Sequence, residues 1–407
     1  MTTVVSILLS DVVSLRERGT WQGYTNVIYA AGSAAGAPLG GVLADSIGWR
    51  WAFIGQGPLC LVAFGVVAVV LRLPAREEED WKGKFMKIVG GRGFQVLKEM
   101  AANCATQDFL GALVLISAVF GLLVGLDRGS NVSWTDPFAI AGLCSTPLFI
   151  VFVLVERYAA SYPMAPFRII LNRSLFACYL CNFFSMGGWF AALFFIPLYW
   201  QVIGGLSASQ AGLLLVPCIF CGVSGSLFGG FYMKKTGKYY WITGFAYLNL
   251  VLGLAGVLLF SGVVLTSIPV MVVGTCICTF ANGLGVTTTL IGLIANASHK
   301  DQAVATACSY LFRALGSVFG VSMCATAFNQ TLRRSLQVAL KGDADAEEIA
   351  QRVRASLAYF RSLEPGLQEV VRDCYERSTR AALGVSLGLV VGSAVFAWFI
   401  REKRLGG

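Results

Sequence analysis

Two stretches of this chain, Ser174–Met233 and Tyr239–His299, each run for about 60 residues without a single Asp, Glu, Lys or Arg. About 20 apolar residues already cross the roughly 30 Å hydrocarbon core of a bilayer as helix. Sixty residues would extend about 90 Å, so each run must turn back on itself and hold two crossings. The turns fall at GGLSAS, residues 204–209, and SGVVLTSIP, residues 261–269, where residues that break helices cluster.

The rest of the chain follows the same rule. Shorter charge-free windows lie at Gly19–Ala44, Trp51–Leu71, Phe109–Leu126, Pro137–Val155 and Ala381–Ile400, and a further apolar stretch at about 303–328 carries one charge, Arg313. Charged residues make up 13% of the 407 and hydrophobic ones 56%, against about 25% charged in soluble domains. The expected fold class is therefore an all-α membrane protein with about ten transmembrane helices. MTTVVSILLS is apolar but too short to cross, and it lacks the basic n-region and small-residue cleavage site of a signal peptide. It reads as the second half of a helix, so the chain is expected to be N-terminally truncated.

Lys and Arg gather in 72–98, at Arg157, Arg168 and Arg173, at Lys234, Lys235 and Lys238, and at Arg401, Lys403 and Arg404. The positive-inside rule puts these loops in the cytosol. The net charge of +9 is thus a topology signal and not a nucleic-acid footprint. No nucleophile–base pair or phosphate loop is present, so neither an enzyme nor a cofactor is expected. Cys178-x-x-Cys181 and Cys218-x-x-Cys221 imitate halves of a zinc site, but both lie in apolar spans. There cysteine behaves as a small hydrophobe, and no metal is expected.

Four segments follow: 1–73, a polar linker at 74–108, a pair of crossings at 109–157, and six crossings at 158–407 with a long outer loop at 329–377. In that loop, Ile349, Val353 and Leu357 share one face of an expected amphipathic helix capped by Asp343 or Asp345. Pro365 is expected to open a second, short helix with Leu367, Val370, Val371 and Cys374 on one side. Cys374 would be a free thiol on the outer loop.

In GSAAGAPLGG, residues 32–41, Gly32, Gly36 and Gly40 stack one above another on a helix face, with Gly41 beside them. Small residues let membrane helices meet at close range, and Pro38 removes a backbone donor and bends the helix. The face reads either as a seam between moving bundles or as a static helix contact. Arg313, in SYLFRALGSVFG, is the one charge in the middle of a span. Such a residue costs about 2.5–3.5 kcal/mol to insert, and it reads either as structural pairing or as a substrate or coupling group. Gly316 and Gly320 would let a partner helix approach it.

GSAAGAPLGG resembles the gxxxGPxxGG antiporter signature of the major facilitator superfamily, with Ala37 where the family usually has glycine. The flanks SDVVSLRERGTWQG and GWRWAF resemble the 14-spanner drug:proton antiporter branch, above all fungal vacuolar basic amino acid and multidrug carriers. The resemblance implies the major facilitator fold, with the ten spans here standing as spans five to fourteen and spans one to four missing. Residues 1–73 then hold the end of span four with spans five and six, 109–157 the two extra central spans, and 158–407 the C-terminal six-helix half. It also implies that spans nine and twelve face the central cavity. These offer Asn182, Trp189, Tyr199 and Gln201, and Asn282, Thr287, Thr288 and Thr289, as substrate groups beside Arg313. Lys234, Lys235, Gly237 and Lys238 stand as a cytosolic latch or simply as a cytosolic helix anchor.

The implied function is proton-coupled antiport by alternating access, carrying basic amino acids into the vacuole or drug-like compounds out of the cytosol. The implied partners are a small-molecule substrate, protons and the lipid bilayer, the chain being a monomer in the vacuolar or plasma membrane. The alternative is a non-transporting membrane receptor or assembly partner, or an inactive truncated carrier.

Overall fold

The computed structural model describes residues 5–6, 9, 13–14, 17–29, 31–32, 50, 54–70, 109–132, 134–158, 166–298, 301–339 and 365–403. These form α1 (residues 17–29), α2 (Gln56–Val70), α3 (Phe109–Asn131), α4 (Pro137–Leu143), α5 (Leu148–Tyr158) and the short α6 (Phe167–Ile170). Then come α7 (Arg173–Val202), α8 (Ala208–Thr236), α9 (Tyr240–Leu259), α10 (Ile268–Asn296), α11 (Gln302–Ala339) and α12 (Pro365–Ala397). They fall into two compact units. One comprises Met1–Val27, Leu110–Ala159 and Met164–Gly407; the other comprises Ile28–Phe109 with Ala160–Pro163. The second unit contributes α2, an apolar helix shorter than a full crossing.

Among the described residues, eight helices are long and apolar enough to cross a membrane, all of them in 109–397. They match the eight crossings read from the charge-free windows in that region. Both expected turns are present. After α7 the chain passes Gly205 at φ +67°, and Ser207 opens α8 with a reciprocal cap. In that cap Gln210 N–H donates to Ser207 Oγ at 3.2 Å, and Ser207 N–H donates to Gln210 Oε1 at 2.9 Å.

The crossing at Pro137–Tyr158 is broken into α4 and α5. Pro147 has no N–H to give to the Leu143 carbonyl, and the Thr146 hydroxyl donates to that oxygen instead, at 2.6 Å. Ser145 Oγ does the same for Gly142 O at 2.6 Å. The backbone groups freed in lipid are thereby satisfied.

Two expectations about the outer segment are corrected. The span placed at 303–328 continues as one helix to Ala339, 38 residues in all, or about 57 Å. Pro365 opens no short separate helix but the 33-residue α12 itself. The two ends of the expected loop 329–377 are therefore helical extensions of spans. Cys374 is buried on α12, not exposed on a loop. The amphipathic helix around Ile349, Val353 and Leu357 lies outside the described residues.

Glycines set the closest crossings. α7 meets α11 where a methyl at Gly187 would lie 2.8 Å from the Gly316 carbonyl oxygen, and one at Gly320 would collide with the Gly187 carbonyl. Gly316 and Gly320 thus admit the partner helix expected of them, and that partner is α7.

Candidate functional site

Asn182, fully buried on α7, is the centre of a polar knot among apolar side chains. A buried amide must fill two donor and two acceptor positions, and this one does. Its Nδ2 donates to Cys178 O at 3.0 Å and to Ser309 Oγ of α11 at 3.2 Å. Its Oδ1 accepts from Arg313 Nε at 3.2 Å, with Thr289 Oγ1 of α10 3.3 Å away, a hydroxyl whose one proton is shared with Gly285 O at 2.7 Å. One side chain thereby ties three spans together.

Arg313 is 9% exposed. Besides Asn182 it donates from Nη2 to Val286 O of α10 at 3.2 Å, and its guanidinium sits 5.0 Å from the centre of the Tyr310 ring. Tyr310 OH in turn shares a 2.7 Å hydrogen bond with Ser6 Oγ, which donates to Gln22 Oε1 at 3.2 Å. The cluster thus runs from α7, α10 and α11 into the first residues of the chain. Asn282 stands one turn before Val286 on α10, and its Oδ1 is buried without a hydrogen-bond partner among the described residues.

The other expected substrate groups lie elsewhere. Thr288 donates back to Gly285 O within its own helix, at 3.2 Å; its neighbour Thr289 does so at 2.7 Å and also lies 3.3 Å from Asn182 Oδ1. Trp189 is 2% exposed within the apolar core. Tyr199 donates to Ser261 O at 2.8 Å and so holds the α9–α10 turn. Of the antiporter-motif residues, Gly36, Pro38, Gly40 and Gly41 lie outside the described residues, and Gly32 has nothing within 4 Å of a would-be methyl.

A close-packing glycine seam does exist, one helical stretch earlier. A methyl at Gly19 would lie 3.2 Å from Gly230 Cα on α8, and one at Gly23 would lie 3.2 Å from Leu227 Cα. Further along, Asn26 Nδ2 donates to Ser226 Oγ at 2.7 Å. At the end of the seam Lys234 Nζ pairs with Glu17 Oε1 at 2.8 Å. Of the four latch residues, then, Lys234 makes a cross-element ion pair. Gly237 ends α8 at φ 66°, its N–H donating to Met233 O. Lys235 and Lys238 have no ion pair among the described residues.

Several members of this arrangement were not singled out from the sequence. Ser309 and Tyr310 lie one turn before Arg313, the spacing that puts them on its face. Gly19 and Gly23 are four apart, the same signal as the later glycines. Glu156 is 4% exposed on α5, a buried carboxylate one residue past the charge-free window Pro137–Val155.

Comparison with known proteins agrees with this architecture. The profile of the Major Facilitator Superfamily matches residues 1–321. Multidrug resistance protein fnx1 of Schizosaccharomyces pombe is 34% identical over 99% of this chain and 72% of its own length. Vacuolar membrane amino acid uptake transporter fnx2 of the same yeast is 33% identical over the whole chain and 67% of its own length. Vacuolar basic amino acid transporter 2 of Saccharomyces cerevisiae is 29% identical over 93% of this chain and 79% of its own. A helical membrane bundle with a buried polar knot, a family profile over most of its length and carriers as relatives lead to one conclusion: the chain belongs to the major facilitator superfamily, as a multi-pass membrane transporter and not an enzyme.

Proposed function

We propose that this transporter is a secondary carrier that exchanges protons for small organic solutes by alternating access, moving basic amino acids into the vacuole or drug-like compounds out of the cytosol. The observation that carries the proposal is the contact of the first residues with the C-terminal spans. Alternating access needs two groups of helices that rock about a central site. Ser6 and Gln22 reach the Arg313 knot through Tyr310, while Gly19 and Gly23 give α1 a near-backbone contact with α8. A polar centre flanked by a smooth seam suits that motion.

The names of the relatives support both cargo classes. The α3 pair with α4–α5 supports assignment of 109–157 to the two central helices of the 14-spanner branch, with 1–73, 74–108 and 158–407 as the flanking N-terminal half, cytosolic linker and C-terminal half. Glu156, a buried carboxylate, is the group we assign to the proton. The unit of function is taken as the monomer.

The test is flux into proteoliposomes containing the full chain, with an imposed pH gradient. Lysine or a cationic dye should accumulate, a protonophore should abolish the accumulation, and Arg313→Ala should remove it without loss of protein. Accumulation indifferent to the protonophore would overturn the antiport reading.

A further inference from the structure

Arg313 is a buried cation whose partners are all neutral. The Asn182 amide oxygen, the Val286 carbonyl and the Tyr310 ring surround it, and among the described residues no carboxylate forms an ion pair with it. A guanidinium presents five N–H groups in a planar fork that fits a carboxylate in two-point contact. Here it makes single bonds of 3.2 Å to Asn182 Oδ1 and Val286 O, at the long end of the N–H···O range. Charge compensation is left for something else.

Asn282 offers the opposite feature. Its buried Oδ1 is an acceptor without a donor among the described residues. It lies four residues before Val286, so the two share a face of α10 and stand about 6 Å apart along the axis. Val286 is the residue whose carbonyl holds Arg313 Nη2, so the donor-rich cation reaches α10 one turn from the unfilled acceptor, and the two chemistries match a molecule carrying a carboxylate and an ammonium. A cationic compound with no carboxylate would meet Arg313 only as a like charge.

Resting on the carrier reading above, we infer that Arg313 and Asn282 form the two ends of an amino-acid subsite. The guanidinium takes the carboxylate, and the Asn282 amide oxygen accepts from an ammonium of the same molecule. The subsite thus favours amino acids over carboxyl-free cationic drugs.

The experiment is ligand binding to the purified full chain, read by thermal stabilisation and radioligand competition. The standard amino acids are each compared with their decarboxylated amine, lysine with cadaverine and arginine with agmatine among them. At least one amino acid should bind, and its amine should bind roughly 10- to 100-fold more weakly, the worth of one charge-assisted contact. Arg313→Gln should erase that difference, and Arg313→Lys should keep part of it. Asn282→Leu should weaken the amino acid and the amine alike. The melting temperature of each variant without ligand shows that it is folded.

The proposal is overturned if no amino acid binds, if an amine binds as well as its parent, or if folded Arg313→Gln binds as the wild type does. Flux separates the two readings. Proton-driven accumulation of drugs with no dependence on Arg313 would leave the carrier standing and remove this subsite. Arg313-dependent binding with no flux of any solute would do the reverse.

Discussion

The Lys234 ammonium lies 2.8 Å from Glu17 Oε1, joining the C-terminal end of α8 to the first turn of α1. The two helices are already at near-backbone distance beside this pair, through Gly19 and Gly230. Both side chains are close to half exposed, 49% and 46%, and an exposed pair is worth about 1 kcal/mol at most. Such a bond biases a conformation without freezing it. A buried pair in the same place would be costly to break in every cycle.

Charge reversal therefore tests the latch. Lys234→Glu should slow exchange in proteoliposomes, and adding Glu17→Lys to it should restore most of the rate. Lys234→Ala alone should shift the equilibrium by no more than about fivefold, and the effect should shrink as salt rises. Lys235→Ala and Lys238→Ala should leave exchange unchanged. A double reversal as slow as the single one would remove the pair from the mechanism.

Asn182 separates stability from recognition. Asn182→Ala strips a partner from Arg313 Nε and from Ser309 at once, and each buried group left unpaired costs about 1–3 kcal/mol. A marked fall in melting temperature and in extractable protein is expected. Asn182→Asp instead places a carboxylate against the guanidinium. That variant loses the Nδ2 bond to Cys178 O but gains the charge pair, so it should melt above Asn182→Ala yet lose amino-acid binding, because the internal carboxylate occupies the site of the external one. Normal binding by Asn182→Asp would show that Arg313 is not shared between the two.

The α7–α11 crossing gives a control built into the molecule. Gly320→Ala drives a methyl into the Gly187 carbonyl, an overpacking expected to cost about 1–3 kcal/mol. Gly388→Ala, on α12 with nothing within 4 Å of the new methyl, should change neither melting temperature nor flux. Equal losses in the two would mean that glycine is needed for something other than close approach.

The legible part of this fold is the part that hydropathy measures. Charge-free length reports the portion of a helix that sits in lipid, and it located the eight crossings and the turns at 204–209 and 261–269. It does not report where a helix ends. Arg333, Arg334 and Arg377 read as loop although they lie on α11 and α12; polar residues outside the bilayer keep helical backbone as readily as apolar ones. In the site, Arg313 stands out because a charge in a span needs a reason, and Asn182 through the resemblance, as a polar group on a span implied to face the cavity. Thr287, Thr288 and Thr289 are equal candidates in the sequence, and which of three faces 100° apart meets Asn182 is resolved only by the neighbouring helix. Trp189 lies in the apolar core and Tyr199 on the Ser261 carbonyl, and the sequence does not distinguish these placements because an aromatic side chain with a polar tip looks the same whether it faces a cavity or a backbone carbonyl. Glu156 was missed because it stands one residue past the end of a window.

Tyr239 fastens the residues that follow α12. Its hydroxyl donates to Arg401 O at 2.8 Å and accepts from Lys403 N at 2.9 Å and from Asn296 Nδ2 at 2.8 Å. Burial pushes the phenol up to about 12, against about 10 for a free tyrosine. The folded chain therefore holds its proton where the unfolded chain has lost it. Stability from this group should be constant below about pH 10 and fall as pH rises above it. Tyr239→Phe should free residues 401–403 to proteolysis at neutral pH. Protease release of the wild-type tail should then be independent of pH between about 5 and 9.

Glu156 is the assigned proton group, and Gln is the substitution that isolates the proton. The carboxyl is 4% exposed on α5, in electrostatic reach of Cys308 on α11, so it is held inside the bundle and not in bulk water. A glutamine there keeps the shape and hydrogen-bonding reach but carries no titratable proton. Downhill exchange of labelled for unlabelled substrate needs only the site and the rocking motion, and it should survive Glu156→Gln. Accumulation against a gradient needs a proton to be carried back, and it should fall to the level seen with a protonophore. Glu156→Asp, which retains a carboxyl, should keep part of the accumulation. If Glu156→Gln still concentrates substrate under a pH gradient, the proton travels on another residue and the assignment fails, while the Arg313 knot keeps its part in binding.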